Sequence, residues 1–208
     1  YEVCPDAHII TAGSCLMFDD SETVLQNEET PFASKSFYGI AKIAENMLVK
    51  KYREMGLYAC TAILYNHESS RRSVDFVTKK IVSNMIKLKS GEIESFSLGN
   101  LTTEKDWGHA SDYTTGMRLM LRQEDPEDYV LASGALHSIS DFCDECASQL
   151  EISNWRQYVK IDDSVVARKV RTVLKGDCTK AEKNLSWEKR FSFETLVEEM
   201  INNTLNMR

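Results

Sequence analysis

The stretch Tyr58-Ala-Cys-Thr-Ala-Ile-Leu-Tyr65 decides the fold class of this chain. It is an apolar run of strand length that lacks the polar alternation of a half-exposed strand. Such runs are typical of strands that are buried on both faces of a parallel sheet. A helix precedes this strand, because apolar side chains recur at helical spacing from Ser36 to Met55 and the pattern stops at Gly56.

Strands and helices alternate along the rest of the chain, so the predicted fold class is α/β with right-handed crossovers and a parallel sheet. Asp75 suits the N-terminus of one of these helices, since an acidic side chain complements the helix dipole. Trp107 and His109 are expected to pack a turn before another helix. Strands are predicted at 7–12, 96–98 and 129–132, and helices at 75–88, 109–122, 138–150 and 193–205.

The overall composition is that of a soluble, acidic globular protein. The 208 residues include 25 basic and 32 acidic side chains, which gives a net charge of −7. This balance argues against binding to nucleic acid, because contact with a phosphate backbone needs a basic face. No apolar segment approaches the roughly 20 residues of a membrane helix, and no secretory signal is visible. We therefore expect a protein of the cytoplasm or an organelle matrix, with no membrane insertion.

The six cysteines do not form the framework of a disulfide-rich or metal-binding domain. Cys143 and Cys146 make a C-x-x-C pair, but at helical spacing they are two positions on one face. No second Cys or His pair lies at zinc-site spacing, so we predict free thiols in a reducing compartment and no metal.

Tyr38 and Lys42 are the first residues that indicate chemistry. Four positions apart on a helix, they project from the same face with about 6 Å between their Cβ atoms. A nearby ammonium favours the phenolate form of a tyrosine, so the pair could act as a general base. The same spacing also occurs by chance on ordinary solvated helices, and its neighbours in sequence decide between the two interpretations.

Several ordered motifs accompany this pair and together resemble one enzyme family. They are Lys35-Ser-Phe-Tyr-Gly-Ile-Ala-Lys42, Leu64-Tyr-Asn-His-Glu-Ser-Ser-Arg-Arg72, Phe76-Val-Thr-Lys-Lys-Ile81, Phe96-Ser-Leu-Gly-Asn-Leu101, Asp106-Trp-Gly-His-Ala110 and Gly176-Asp-Cys-Thr-Lys-Ala181. In this order they resemble the GDP-mannose 4,6-dehydratases. These are extended short-chain dehydrogenase/reductases of the NAD-dependent epimerase/dehydratase superfamily.

The resemblance implies a reaction in which bound NADP takes a hydride from the sugar C4 and returns it to C6 after water is eliminated. It also implies roles for particular residues and a GDP-sugar as substrate. Tyr38, Lys42 and Ser14 would be catalytic, with Tyr38 as the base. Tyr38, Lys42, Asn66, His67 and Arg72 would contact the cofactor, and Asn66, Lys80 and Lys105 the substrate. For the basic residues of this set, the alternative is that their side chains form an ordinary solvent-exposed surface and bind no ligand.

Two departures from the family pattern are expected to matter most, the changes at Leu16 and in the glycine-rich loop, and the change at Ser70 is a smaller one. Leu16 stands where the family has the glutamate that removes the C5 proton, and Ser70 replaces a proline. Loss of a general base typically lowers a rate about 10²–10⁴-fold. The glycine-rich loop that holds the cofactor pyrophosphate is absent as well, since no two of the nine glycines lie closer than eight residues.

The predicted architecture is therefore a partial Rossmann-like, extended short-chain dehydrogenase fold without its N-terminal dinucleotide-binding half. Residues 1–90 would be the remnant of that domain and residues 91–208 a small α/β substrate lobe, two parts that interleave in the family. Unpaired sheet edges then predict a protein partner or a homo-oligomer. Three functions remain open: an incomplete or impaired GDP-mannose 4,6-dehydratase, a degenerate structural subunit of an assembly, and a nucleotide-sugar epimerase or reductase. NADP would bind only if the missing half is supplied.

Overall fold

A computed structural model describes residues 4–162 and 173–206 of the protein, which form two compact units. The first unit contains residues 4–67, 106–135 and 173–190, and the second contains residues 68–105, 136–162 and 191–206. The assignment of residues 1–90 and 91–208 to a cofactor part and a substrate part stays a prediction, because the units reflect contacts within the chain and not bound ligands.

Short strands and longer helices alternate along the described residues. The strands are β1 (Ile9–Ala12), β2 (Leu25–Gln26), β3 (Ala59–Leu64), β4 (Asn66–Glu68), β5 (Phe96–Leu98), β6 (Glu104–His109), β7 (Tyr129–Leu131), β8 (Leu136–Ser138), β9 (Val159–Ile161) and β10 (Lys175–Gly176). The α-helices are α1 (Phe37–Glu54), α2 (Val77–Lys89), α3 (Ala110–Met120), α4 (Ile139–Gln149), α5 (Thr179–Leu185) and α6 (Phe193–Asn206), and short 3₁₀ helices cover Cys15–Phe18 and Trp155–Tyr158.

Three parallel strands in the order β1-β3-β7 form the main sheet of the first unit. Ile9 of β1 pairs with Ala59 of β3, and Leu64 of β3 pairs with Leu131 of β7. Every residue of β3 is buried, which explains why its sequence is an unbroken apolar run. The α/β class and the parallel sheet are confirmed.

Helix α1 begins where the sequence predicts, after Ser36, whose Oγ accepts the backbone N–H of Gly39 at 3.0 Å. The next helix is predicted to open at Asp75 and begins two residues later, at Val77, while the Asp75 carboxylate accepts the Ser73 hydroxyl at 2.9 Å. The prediction of a turn at Trp107 and His109 is wrong, because residues 106–109 belong to strand β6.

Each unit has its own apolar core. In the first unit, Trp187 meets Tyr113 edge to face, with 6.2 Å between the ring centroids, and its indole N–H donates to the carbonyl oxygen of Asp112 at 2.8 Å. In the second unit, helices α2, α4 and α6 pack on one another, and fully buried side chains such as Met85, Phe142 and Met200 lie on these helices.

Asp106 is a fully buried carboxylate that joins three parts of the first unit. Its Oδ1 accepts the backbone N–H of Ser133 at 2.7 Å and the Ser133 hydroxyl at 2.6 Å. Its Oδ2 accepts the backbone N–H groups of Gly134 and Gly176, both at 3.1 Å. The loop after β7 and strand β10 are thereby held against β6. Four donors satisfy a buried charge that would otherwise be costly.

Replacing Asp106 with Asn should lower the free energy of unfolding by about 3 kcal/mol, because the new amide group would face backbone N–H donors. Equilibrium denaturation in urea measures this change. Asp125→Asn is the control, because Asp125 is exposed and its replacement should cost less than about 0.5 kcal/mol. Equal stability of the two variants would contradict a structural role for the buried carboxylate.

Candidate functional site

Residues that follow β1 and β3 lie at one edge of the main sheet. Because the strands are parallel, their carboxyl ends meet at the same edge, the usual place of ligand sites in open α/β sheets. Ser14 comes two residues after β1, and Asn66 and His67 come two and three residues after β3. The sheet topology thus brings three of the predicted site residues to one edge.

The turn after β1 is in close contact with the start of α1. Ser14 caps the 3₁₀ helix Cys15–Phe18, and its Oγ accepts the backbone N–H of Leu16 at 3.2 Å. The carbonyl oxygen of Leu16 faces Gly39 so closely that a Cβ at position 39 would lie 2.3 Å from it. This close approach explains the glycine between Tyr38 and the rest of α1. The same close approach places the turn that contains Ser14 next to the first turn of α1, which contains Tyr38.

Tyr38 and Lys42 share a face of α1, as their spacing predicts. The Lys42 ammonium lies 6.0 Å from the centroid of the Tyr38 ring. Tyr38 is 49% exposed, so its phenol is accessible. Lys42 also forms an ion pair with Glu45, with 2.7 Å between Nζ and Oε2. Glu45 was not predicted as a partner of Lys42, although its position three residues after Lys42 is a typical helical ion-pair spacing.

The turn after β1 offers no carboxylate. Residues 13–18 read Gly-Ser-Cys-Leu-Met-Phe, and the half-buried Leu16 packs against the apolar core. The next carboxylates along the chain both bind Lys35. Asp19 accepts its backbone N–H at 3.2 Å, and Asp20 lies 2.6 Å from its Nζ. The absence of a base for the C5 proton therefore stays a prediction. Asp19 and Asp20, the nearest carboxylates in sequence that could replace it, both contact Lys35.

His67 and Asn66 are held by backbone carbonyl groups. His67 Nδ1 lies 2.9 Å from the carbonyl oxygen of Tyr65 and must donate to it, since a carbonyl oxygen only accepts. In the neutral ring, Nε2 is then the acceptor. The Asn66 amide lies 3.4 Å from the carbonyl oxygen of Asp106. Both side chains are half-buried, so they are fixed and yet reachable.

Three predicted ligand-binding cations, Arg72 for the cofactor and Lys80 and Lys105 for the substrate, belong to the second unit. Arg72 Nε lies 3.1 Å from Oε2 of the buried Glu68, and the guanidinium carbon lies 3.4 Å from the centroid of the Phe76 ring. Glu68 was not predicted as a partner of Arg72 either, although it stands four residues before it. Lys80 on α2 and Lys105 on β6 are half-buried. Their ligand contacts stay predictions.

The cysteines and the helices add two observations. Cys143 and Cys146 are fully buried on α4, and burial raises the pKa of Cys143 to about 12. In residues 4–162 and 173–206, no group of three His, Cys, Asp or Glu side chains could hold a metal ion. No helix within those same residues is long and apolar enough to cross a membrane.

Comparison with known proteins gives a consistent family. The family profile described as GDP-mannose 4,6 dehydratase matches residues 1–200. The human GDP-mannose 4,6 dehydratase is 38% identical over 207 residues, which cover 91% of this chain and 56% of the human protein. GDP-mannose 4,6 dehydratase 2 of Arabidopsis thaliana is 41% identical over 197 residues, 94% of this chain and 52% of the plant protein. The chain thus spans about half the length of these relatives.

Solved structures with the same fold are more distant in sequence. The dTDP-glucose 4,6-dehydratase of Bacillus anthracis, in complex with NAD, superposes with a TM-score of 0.84 at 17% identity and covers 99% of this chain and 64% of that chain. RMD from Pseudomonas aeruginosa, complexed with NADPH, gives a TM-score of 0.83 at 13% identity and covers 95% of this chain and 66% of that chain. The match over part of each neighbour agrees with the predicted partial short-chain dehydrogenase fold.

Proposed function

The chain belongs to the GDP-mannose 4,6-dehydratase family, and from this premise we propose that it is the part of a longer protein that binds a GDP-sugar and carries the Tyr38–Lys42 pair. NADP is the proposed cofactor. The observation that carries the proposal is the accessible phenol of Tyr38, with the Lys42 ammonium 6.0 Å from its ring, beside the edge of the sheet where Ser14 lies.

Part of a nicotinamide site fits the residues of this chain. A phenol and an ammonium on one helix face suit the ribose and the reacting end of the cofactor, and His67 and Asn66 offer polar groups after β3. The glycine-rich loop that would hold the pyrophosphate has no counterpart in this sequence. NADP would accept and return the hydride, and its tight binding requires that the missing loop is supplied.

The chain's own residues would move the protons. Tyr38 would take the proton of the sugar 4-hydroxyl group, and Ser14 would hold that hydroxyl by a hydrogen bond. Lys42 would stabilise the phenolate, an effect that its ion pair with Glu45 weakens. Elimination of water also needs a base for the C5 proton, and residues 13–18 contain no carboxylate. We therefore propose that sugar oxidation is retained and dehydration is impaired, which keeps an epimerase or reductase as the nearest alternative.

Arg72 is the proposed contact to a phosphate group of the cofactor, and Lys80 and Lys105 are the proposed cationic contacts to the substrate, because a planar guanidinium or an ammonium suits phosphate groups. Asn66 is the proposed contact to the sugar.

All six cysteines are free thiols, which supports a reducing compartment, either the cytoplasm or an organelle matrix.

Replacing Tyr38 with Phe should lower the rate of NADP reduction by GDP-mannose about 10²–10⁴-fold, because the general base is lost. The assay uses the full-length protein and follows NADPH by absorbance and the sugar product by mass spectrometry. Tyr52→Phe is a matched control, since Tyr52 is also an exposed tyrosine on α1, and it should react like the wild type. Wild-type turnover in Tyr38→Phe, or loss of water as fast as oxidation, would refute the proposal.

An assembly role is the second candidate, and the outer face of α1 favours it. Phe37, Ile40, Met47 and Leu48 form a stripe of large apolar side chains that are 96%, 50%, 66% and 62% exposed. They recur at helical spacing, so they lie on one side of the helix. An exposed apolar stripe of this kind is typical of a protein interface. A partner protein or a second copy of the chain would cover it.

Replacing Leu48 with Lys should convert the native assembly into a smaller species, because a charge would enter the apolar interface. Sedimentation of the full-length protein measures the mass. Thr114→Lys adds the same charge at an exposed position on α3 and should leave the mass unchanged. An unchanged mass for Leu48→Lys would exclude the stripe as an interface.

A further inference from the structure

The segment after β4, residues 69–73, is held to helix α6 through Ser70. The carboxylate of Glu199 accepts the backbone N–H of Ser70 at 3.0 Å with one oxygen and the Ser70 hydroxyl at 2.8 Å with the other. Hydrogen bonds to an ionised acceptor are the stronger kind. A single side chain of α6 thus fixes both the backbone and the side chain of Ser70.

Lys79 holds the same residue from helix α2. Its ammonium donates to the carbonyl oxygen of Ser70 at 2.9 Å and to the Thr204 hydroxyl at 2.7 Å. The lysine is 7% exposed, and burial lowers its pKa while the charge of Glu199 opposes this effect. We call Ser70, Glu199 and Lys79 the Ser70 clasp. In this clasp, Glu199 and Lys79 together bind the N–H, the carbonyl and the hydroxyl group of Ser70.

The residues on either side of Ser70 explain why its position matters. Glu68 is 3% exposed and accepts the Thr78 hydroxyl at 2.8 Å. The same carboxylate pairs with Arg72, whose guanidinium stacks on Phe76. Arg71 and Arg72 follow Ser70 directly in the chain. The backbone conformation of Ser70 therefore determines the position from which both arginine side chains extend.

The sequence resemblance implies a proline at the position that Ser70 occupies in this chain. A proline has no backbone N–H and could not donate to Glu199. Its ring would instead restrict the backbone covalently. In this chain, hydrogen bonds from two helices restrict a serine backbone that would otherwise be freer.

We propose that Glu199 and Lys79 are positioning residues, which act through Ser70 to hold Arg71 and Arg72 ready for an anionic ligand. This inference rests on the proposed function for the identity of the ligand, a phosphate group of the NADP cofactor. A segment that is ordered before binding loses less conformational entropy when the ligand binds. The clasp would therefore strengthen binding without touching the ligand.

Trypsin tests the clasp without any ligand, because cleavage after Arg71 and Arg72 requires local opening of the segment. In the native full-length protein, Glu199→Ala and Ser70→Ala should each speed this cleavage about tenfold. Two variants serve as controls and should match the wild type. Glu198→Ala removes an exposed carboxylate from the next position on α6, and Ser70→Thr keeps both donors. Equal cleavage rates for Glu199→Ala and Glu198→Ala would overturn the inference, whatever the result with nucleotide.

Calorimetric titration of the full-length protein with NADP then separates positioning from a merely structural role. Glu199→Ala should weaken NADP binding about threefold or more, whereas Glu198→Ala should not. Faster cleavage with unchanged NADP affinity would overturn the positioning role. Faster cleavage in a protein whose wild type does not bind NADP would support the clasp itself and refute the proposed function.

Discussion

The parallel pairing of β1 with β3 is the constraint on which the candidate site depends. The register joins Ile9 to Ala59 and Ala12 to Ala62, so both strands end at the same edge of the sheet. Ser14 and the residues after β3 lie at the same edge because of this strand pairing, and not because they are close in sequence. Asp106 stabilises the same edge, because its carboxylate ties the loop after β7 and strand β10 to β6. The chemistry of the site is thus a consequence of strand direction.

Elements with a clear apolar pattern could be predicted from the sequence, including the short strands β5 and β7, whereas elements without such a pattern could not. The buried run of β3 and the periodic pattern of α1 each contain enough residues for the apolar spacing to be unambiguous. Strand β6 reads Glu-Lys-Asp-Trp-Gly-His and was missed, because its Asp106 is buried for its hydrogen bonds and not for apolarity. Likewise, Glu68 looks like a surface charge in sequence, and only tertiary contacts with Thr78 and Arg72 explain its burial.

We propose that the candidate site retains the parts of a redox site and lacks the base that elimination requires. Tyr38 and Lys42 lie together on an accessible helix face, which a purely structural protein would not need. Against this, the turn after β1 carries no carboxylate, and Glu45 competes for the Lys42 charge. Family membership alone does not decide between these observations, since one fold supports many functions. Taken together, we propose a protein that still binds nucleotide ligands and in which the elimination of water is impaired.

Nucleotide content is the most direct test of that central claim. The full-length protein is purified from its native source under mild conditions, denatured, and the released small molecules are identified by mass spectrometry. We expect NADP or NADPH together with a GDP-sugar, each in fixed proportion to the protein. A preparation that releases no nucleotide, but holds another protein in fixed proportion, would contradict the claim and leave assembly through α1 as the function of this chain.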